Sequence, residues 1–470
     1  MKNIFFNCIN IQNDKRGVVM ADYSEDGFIQ KLTGLAQNND IVEVDLYSKL
    51  DVCRGLRYKD GRGVLVGLTK IGDVVGYDVV DGKKVPVPGK LLYRGYDIEE
   101  LIKDAEGHDE FGYEQTVYLL LFGELPNKEQ LEEFKFFLGS RRTLPDNFTE
   151  DMIMKAPSSD IMNKLSRGVL ASYSYDKNPE DRSIANNMRQ CIELIARFPT
   201  LVAYAYQAKR RFFEGKSMYI HNPKPELSTA ENLLRLIRSH KSYTKMEADI
   251  LDLCLILHAE HGGGNNSSFS VHVISSTDTD TYSAIGAAVG SLKGKRHGGA
   301  NLQVMGMMDD IKANVKDWSS ETEVKEYLRK ILRKEAYDRT GLIYGQGHAV
   351  YTVSDPRAIL VRDKARALAT VKGCLEEYEL YCLIEKLAPV VFAEEKGSDK
   401  KICSNVDFFT GFVYTMLDIP RELYTPIFAI SRIAGWSAHR MEELVSGGRI
   451  YRPAYKNILP MRDYIPIEKR

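Results

Sequence analysis

The chain has 470 residues, with 64 Lys+Arg against 65 Asp+Glu and a formal net charge of −1, a balance that speaks against a nucleic-acid coat or a polybasic membrane binder. At 44% hydrophobic and 27% charged it has the make-up of a soluble globular protein with a large core, and its length allows about three domain-sized units or fewer large ones. No run of about eighteen apolar residues occurs, so no membrane span is expected.

The first residues, MKNIFFNCINIQNDKRG, hold a short apolar stretch broken by asparagines and no clear small-residue cleavage site, which makes a poor signal peptide. They read as an extension, or as sequence ahead of a start at Met20. Residues 1–39 are taken as this extension with a lead-in helix, and 20–50 as mostly helical. Residues 60–97 change character: GRGVLVGLTKIGDVVGYDVVDGKKVPVPGKLLYRGYD is rich in Gly and Val and alternates with period two. Short strands are expected there, joined by turns such as VDGKK at 80–84. From Asp97 to about residue 450 helical patterns dominate, and no internal repeat interrupts them. The expected fold class is mainly α with a few short N-terminal strands. Seven cysteines (Cys8, Cys53, Cys191, Cys254, Cys374, Cys382 and Cys403), odd in number and without a CxxC pair, read as free thiols in a reducing, cytoplasmic compartment.

Two helices can be drawn closely. Thr244 and Glu247 form a T-x-x-E capping box, and MEADILDLCLILHAEH is apolar almost all round from Ile250 to Leu257, as a helix inside a large core should be. Gly262 is the expected left-handed stop, which makes His261 the last residue of that helix. The second helix, TDTDTYSAIGAAVGSLKGKRHGGAN, carries small residues at Ser283, Ala284, Gly286, Ala287, Ala288, Gly290 and Ser291. It suits a close helix–helix contact and is a candidate for the axis of a dimer.

Four segments carry chemistry. In HAEHGGGNN (258–266), a metal site would use His258, Glu260 and His261. However, the zinc-protease pattern needs histidines at i and i+4 with Glu directly after the first, and here the spacing is i, i+3. No metal is therefore expected. His258 reads as a structural histidine, whereas the glycines beside His261 make sense if a ligand must come close. In YGQGHAVYTVSDPRAIL (344–360), Asp355-Pro356 starts a helix, and Arg357 adds a bidentate donor to an anion-attracting first turn, or else pairs with an acid. In CSNVDFFTGFVY (403–414), Asp407 among aromatics should have a raised pKa, suited to a general base; the plainer reading is an N-cap or a paired acid. Near the C-terminus Arg432 lies in a helix that ends at Gly447-Gly448, and Arg452 lies in an extended tail. Together these residues suit proton abstraction beside a carbonyl and recognition of a small polycarboxylate.

HAEHGGGN, LKGKRHGGAN, GQGHAVYTVSDPR, NVDFFTGFVY, SRIAGW and YRP, in this order, with YRGYDIEEL at 93–101, resemble the citrate synthase family in its bacterial form. The resemblance runs from about residue 40 to the end. It implies an almost wholly helical, two-domain homodimer, with a large domain of residues 40–262 and 419–470, a small domain of 263–418 and an active site in the cleft between them. The implied reaction joins the methyl carbon of acetyl-CoA to the ketone of oxaloacetate, then hydrolyses the thioester to citrate and CoA, with no permanently bound cofactor. By the same resemblance, His261 holds the thioester oxygen and stabilises the enol, Asp407 removes the methyl proton, and His348 polarises the ketone. Arg357 and Arg432 clamp the carboxylates, Arg452 reaches into the neighbouring subunit's site, and the backbone at Gly345, Gly347, Ala349 and Val350 belongs to the CoA adenine loop.

This chain departs from the family pattern at three places. Thr229 stands where many members have a histidine, which leaves an oxaloacetate contact missing or replaced by a hydroxyl. Gly262 and Thr352 stand where relatives carry Glu- or Lys-type residues. Thr352 puts one CoA-phosphate contact in question, for which Lys293, Lys295, Arg296 or Arg362 are substitutes. A 2-methylcitrate synthase using propionyl-CoA, or a catalytically silent paralogue that binds CoA or citrate, stays open beside the main reading.

Overall fold

The computed structural model describes residues 25–81, 83–108, 110–397 and 401–470, so the reading of residues 1–24 lies outside the described residues. The chain separates into two compact units, residues 1–68 and 69–470. The first contains α1 (Glu25–Asp40) and α2 (Val44–Lys49), the expected lead-in helices.

The second unit opens with an antiparallel sheet in the order β1 (Gly72–Val80), β2 (Lys83–Tyr93) and β3 (Tyr96–Asp97). The β1–β2 register runs from Gly72↔Tyr93 to Val80↔Lys83, with an irregularity between Val75 and Tyr77. Helices follow to the C-terminal tail: α3 (Ile98–Gly107), α4 (Tyr113–Phe122), α5 (Lys128–Ser140), α6 (Ile161–Ser172), α7 (Ile184–Glu214) and α8 (Thr229–Ile237) come first. Then come α9 (Lys245–His258), α10 (Asn266–Ser275), α11 (Thr281–Lys293), α12 (Ala300–Asn314) and α13 (Glu321–Leu332). The last are α14 (Pro356–Lys372), α15 (Leu375–Lys396), α16 (Val406–Met416) and α17 (Tyr424–Ser446). The fold is mainly α with one small sheet, as expected. Among the described residues no helix is long and apolar enough to cross a membrane, and six cysteines are free thiols.

The core gathers around α17, whose Ile427, Ile430, Ile433 and Trp436 are buried against α4, α7, α9, α10 and α11. Of the small residues of α11, Ala284, Gly286 and Ala288 are buried inside this chain, with Gly286 facing Leu170 of α6, whereas Gly290 is exposed with open space around it.

Helix α9 has the expected capping box, with Glu247 N–H donating to Thr244 Oγ1 at 3.2 Å and Thr244 N–H donating to Glu247 Oε2 at 2.9 Å. It does not reach His261. It ends at His258, and His261 stands in the coil that follows, with Gly262 in the left-handed region at φ +82°. The last carbonyls are taken by tertiary donors before an α-turn can claim them: Tyr93 Oη donates to Ile256 O at 2.8 Å, Arg432 Nε to His258 O at 2.6 Å and Gly435 N–H to Ala259 O at 3.1 Å.

The sheet is a rest for the segment 348–355. A side chain at Gly76 would strike the Val350 carbonyl oxygen, and one at Gly89 the Ser354 carbonyl oxygen, so these two glycines let the backbones touch. Gly89 N–H donates to Ser354 Oγ at 3.1 Å, and Tyr351 Oη to Lys90 O at 3.3 Å.

Candidate active site

Two helix N-termini are tied together through one carboxylate. Asp355 caps α14, accepting from Arg357 N–H at 3.0 Å, and its Oδ2 also accepts from Val406 N–H at 3.3 Å at the start of α16. Asn405 caps α16, accepting from Asp407 N–H at 3.1 Å while its Nδ2 donates to Gly347 O at 3.0 Å. The Gly345–Gly347 turn is zipped to residues 403–405: Gly347 N–H donates to Cys403 O at 2.7 Å, and Asn405 N–H to Gly345 O at 2.9 Å. Hence Arg357, Asp407 and the histidine after the turn come from three elements sharing one junction.

His348 is half-buried, and its Nδ1 accepts from the peptide N–H groups of both Val350 and Tyr351 at 3.1 Å. Burial, helped by the positive Arg357, lowers its pKa to about 4. The ring is therefore neutral at physiological pH with its proton on Nε2, a fixed donor. Tyr351 stacks on it at 4.7 Å between ring centroids. His261 lies edge-on to both rings, 5.1 Å from His348 and 5.8 Å from Tyr351. Burial, then Arg357 and His348, push its pKa well below the usual histidine range, and its buried Nε2 has no hydrogen-bond partner in the protein.

Asp407 is raised to about 6 by burial, with Arg357 and Arg432 pulling the other way. Arg357 is buried and gripped by Asp355 through Nε–Oδ1 at 3.0 Å and Nη2–Oδ2 at 2.8 Å; its neighbour is this buried capping acid, not a surface one. Arg432 is 1% exposed; burial lowers it to about 10, Phe428 lies 4.7 Å from its guanidinium, and its Nη1 has no partner. A buried guanidinium nitrogen left without an acceptor, as Nη1 is here, suits an anionic ligand. The arrangement offers two neutral imidazoles, one carboxylate poised near neutrality and two buried guanidinium groups, which is equipment for enolisation beside a carboxylate-bearing electrophile.

The other expected residues fall as follows. Ala349 is exposed and Val350 half-buried beside the turn. Arg452 is exposed in the extended tail, just past Tyr451, whose N–H donates to Ser276 Oγ, and the structure does not bring it to the cluster. The Thr229 hydroxyl and N–H both donate to Glu114 Oε1, at 2.8 and 2.7 Å, so that hydroxyl is already engaged. Arg362 is engaged by Asp363 and Glu385. His258, Glu260 and His261 do not converge on a metal: His258 Nδ1 donates to Cys254 O at 2.7 Å, and the Glu260 carboxylate is turned to His439 and the Gly262 N–H. The sequence reading missed Tyr351, Asp355 as the grip on Arg357, and Tyr93. Tyr351 and Asp355 do sit inside the same 344–360 segment, and Tyr93 opens YRGYD.

Residues 56–454 match the family model described as citrate synthase, C-terminal domain. A citrate synthase of Haloferax volcanii is 34% identical over 414 residues, 87% of this chain and 97% of the relative. A 2-methylcitrate synthase of Shewanella oneidensis is 32% identical, covering 81% of this chain and 92% of its own. The solved citrate synthase of Thermoplasma acidophilum, in ternary complex with carboxymethyl coenzyme A and oxaloacetate, superposes with a TM-score of 0.70 at 27% identity, over 87% of this chain and 97% of that one.

Proposed function

This chain belongs to the citrate synthase family of acyltransferases, and we propose that it condenses acetyl-CoA with oxaloacetate and hydrolyses the thioester to citrate and CoA. The observation that carries the reading is the convergence of His261, His348 and Asp407 with the buried Arg357 and Arg432. The oxaloacetate carboxylates take the two guanidinium groups. His348 donates Nε2–H to the ketone oxygen and, being neutral, is a weak enough acid to protonate the alkoxide as it forms rather than before. Asp407 takes a proton from the acetyl methyl group while His261 donates to the thioester oxygen, so enol charge meets a placed donor, an effect worth about 3–4 kcal/mol. The enol carbon attacks the ketone carbon, the new C–C bond forms with the thioester intact, and water then cleaves it.

Residues 263–418 act as a small domain that closes on 40–262 and 419–470, keeping water out until the C–C bond is made. Arg452 comes from a second copy of this chain, the backbone at Gly345, Gly347, Ala349 and Val350 holds the CoA adenine, and the enzyme works in the cytoplasm with no permanent cofactor. The Shewanella relative favours one second reading, a 2-methylcitrate synthase that takes propionyl-CoA. One methylene in an acyl pocket changes discrimination by only about 1–3 kcal/mol. Thiol release with oxaloacetate, compared for acetyl-CoA and propionyl-CoA, tests both. Faster release with acetyl-CoA is expected, a propionyl-CoA preference moves the assignment, and no release with either contradicts both.

A further inference from the structure

Glu260 lies directly before His261, is fully buried, and has no place in the chemistry above. Its Oε1 accepts from the Gly262 N–H, on the far side of His261, and from His439 Nε2 at 2.9 Å. Its own N–H is met by Tyr93 Oη at 3.3 Å. Tyr93 Oη also lies 3.3 Å from the Glu260 carbonyl oxygen, so the peptide link before His261 is met by Tyr93 and the one after it by the Glu260 carboxylate, where no helix reaches. Behind His439 the bonds continue: its Nδ1 lies 3.1 Å from His272 Nε2, and His272 Nδ1 donates to Glu443 Oε2 at 2.9 Å. Glu442 Oε2 faces the same His439 nitrogen at 3.9 Å. The spacing between the two rings is that of a hydrogen bond with one shared proton, which closes the chain with every ring nitrogen used. Two glycines make room for the acid: a Cβ at Gly72 would sit 2.7 Å from Glu260 Cγ, and one at Gly435 would strike Glu260 Oε2.

We infer that Glu260, backed by the His439–His272–Glu443 chain, is a positioning residue that sets the direction of the His261 imidazole for the proposed condensation. The inference rests on that reading for its kinetic consequence, but not for its geometry. Glu260→Gln keeps the shape and removes the charge-assisted bond to His439, while Glu260→Asp keeps the carboxylate. Gly72→Ala pushes on Glu260 without altering a charge. A misplacement of about 1 Å in a catalytic group lowers turnover by about a hundredfold.

The experiment measures kcat and oxaloacetate KM for the full chain and these three variants. It also records the ¹⁵N shifts of the His261 ring nitrogens, identified by their loss in His261→Gln. The expected result is a kcat lower by about ten- to a hundredfold in Glu260→Gln and Gly72→Ala, KM within about twofold, partial recovery in Glu260→Asp, and moved His261 shifts. Folded Glu260→Gln or Gly72→Ala with the kcat and His261 shifts of the parent overturns it. If the parent chain releases no CoA, the condensation reading falls by itself. The His261 shifts then decide: moved by the Glu260 or Gly72 variants, Glu260 positions the ring; unmoved, it does not.

Discussion

Asp407 stands in an unfavourable place for a charge, and two measurements follow from that. Its folded pKa of about 6 lies above the value of about 3.9 for an unfolded aspartate. The folded state therefore holds a proton that the unfolded state has released, and stability contributed by this site falls as pH rises from about 4 to about 6. Asp407→Asn should be more stable than the parent chain above pH 6, by on the order of 2–3 kcal/mol, with the gap closing below about pH 4. Thermal melts across that range check it. The same variant should lose essentially all CoA release, and in the parent kcat/KM should fall tenfold per pH unit below about 6, as the base becomes protonated. The aromatic flanks in VDFF made the raised pKa legible from sequence. The tautomer of His348 was not legible, because it depends on two peptide N–H groups curling back onto Nδ1.

At the scale of elements, capping chemistry was readable and helix ends were not. Thr244 with Glu247, Asp355-Pro356 and Gly447 mark their helices as expected, since each signal is local. The end of α9 is decided by Tyr93, Arg432 and Gly435, remote in sequence, and so His261 was placed on a helix it has left. Tyr93→Phe removes the hydroxyl that serves Ile256 O and Glu260 N–H, and should lower stability by about 1–2 kcal/mol together with kcat, as read by denaturant melts and CoA release. The contact of the β1–β2 hairpin with residues 350–354 was equally hidden, because a glycine announces only a missing side chain and not what lies opposite. Gly89→Ala should lower stability by about 1–3 kcal/mol through overpacking and weaken turnover by displacing the His348 segment.

For the whole molecule, family and fold class were legible from ordered motifs and from a helical pattern broken only near the N-terminus. The single chain leaves Arg452 exposed in its tail, and its assignment to a neighbouring subunit's site is a matter for experiment. If a second copy supplies it, Asp407→Asn and Arg452→Ala chains should each be inactive, and co-assembly should restore activity. With random pairing half the dimers are mixed and each has one intact site, so about a quarter of the parent rate is expected. No recovery from two inactive chains would place Arg452 at the site of its own subunit, and full activity of Arg452→Ala alone would place it outside the site.

The most direct measurement is a crystal structure of the full chain with oxaloacetate bound. The account predicts both carboxylates at the guanidinium groups of Arg357 and Arg432, with the Arg432 Nη1 now partnered, and the ketone oxygen about 3 Å from His348 Nε2. Oxaloacetate bound elsewhere, or with its ketone turned away from His348 and its carboxylates off both arginines, would contradict the account.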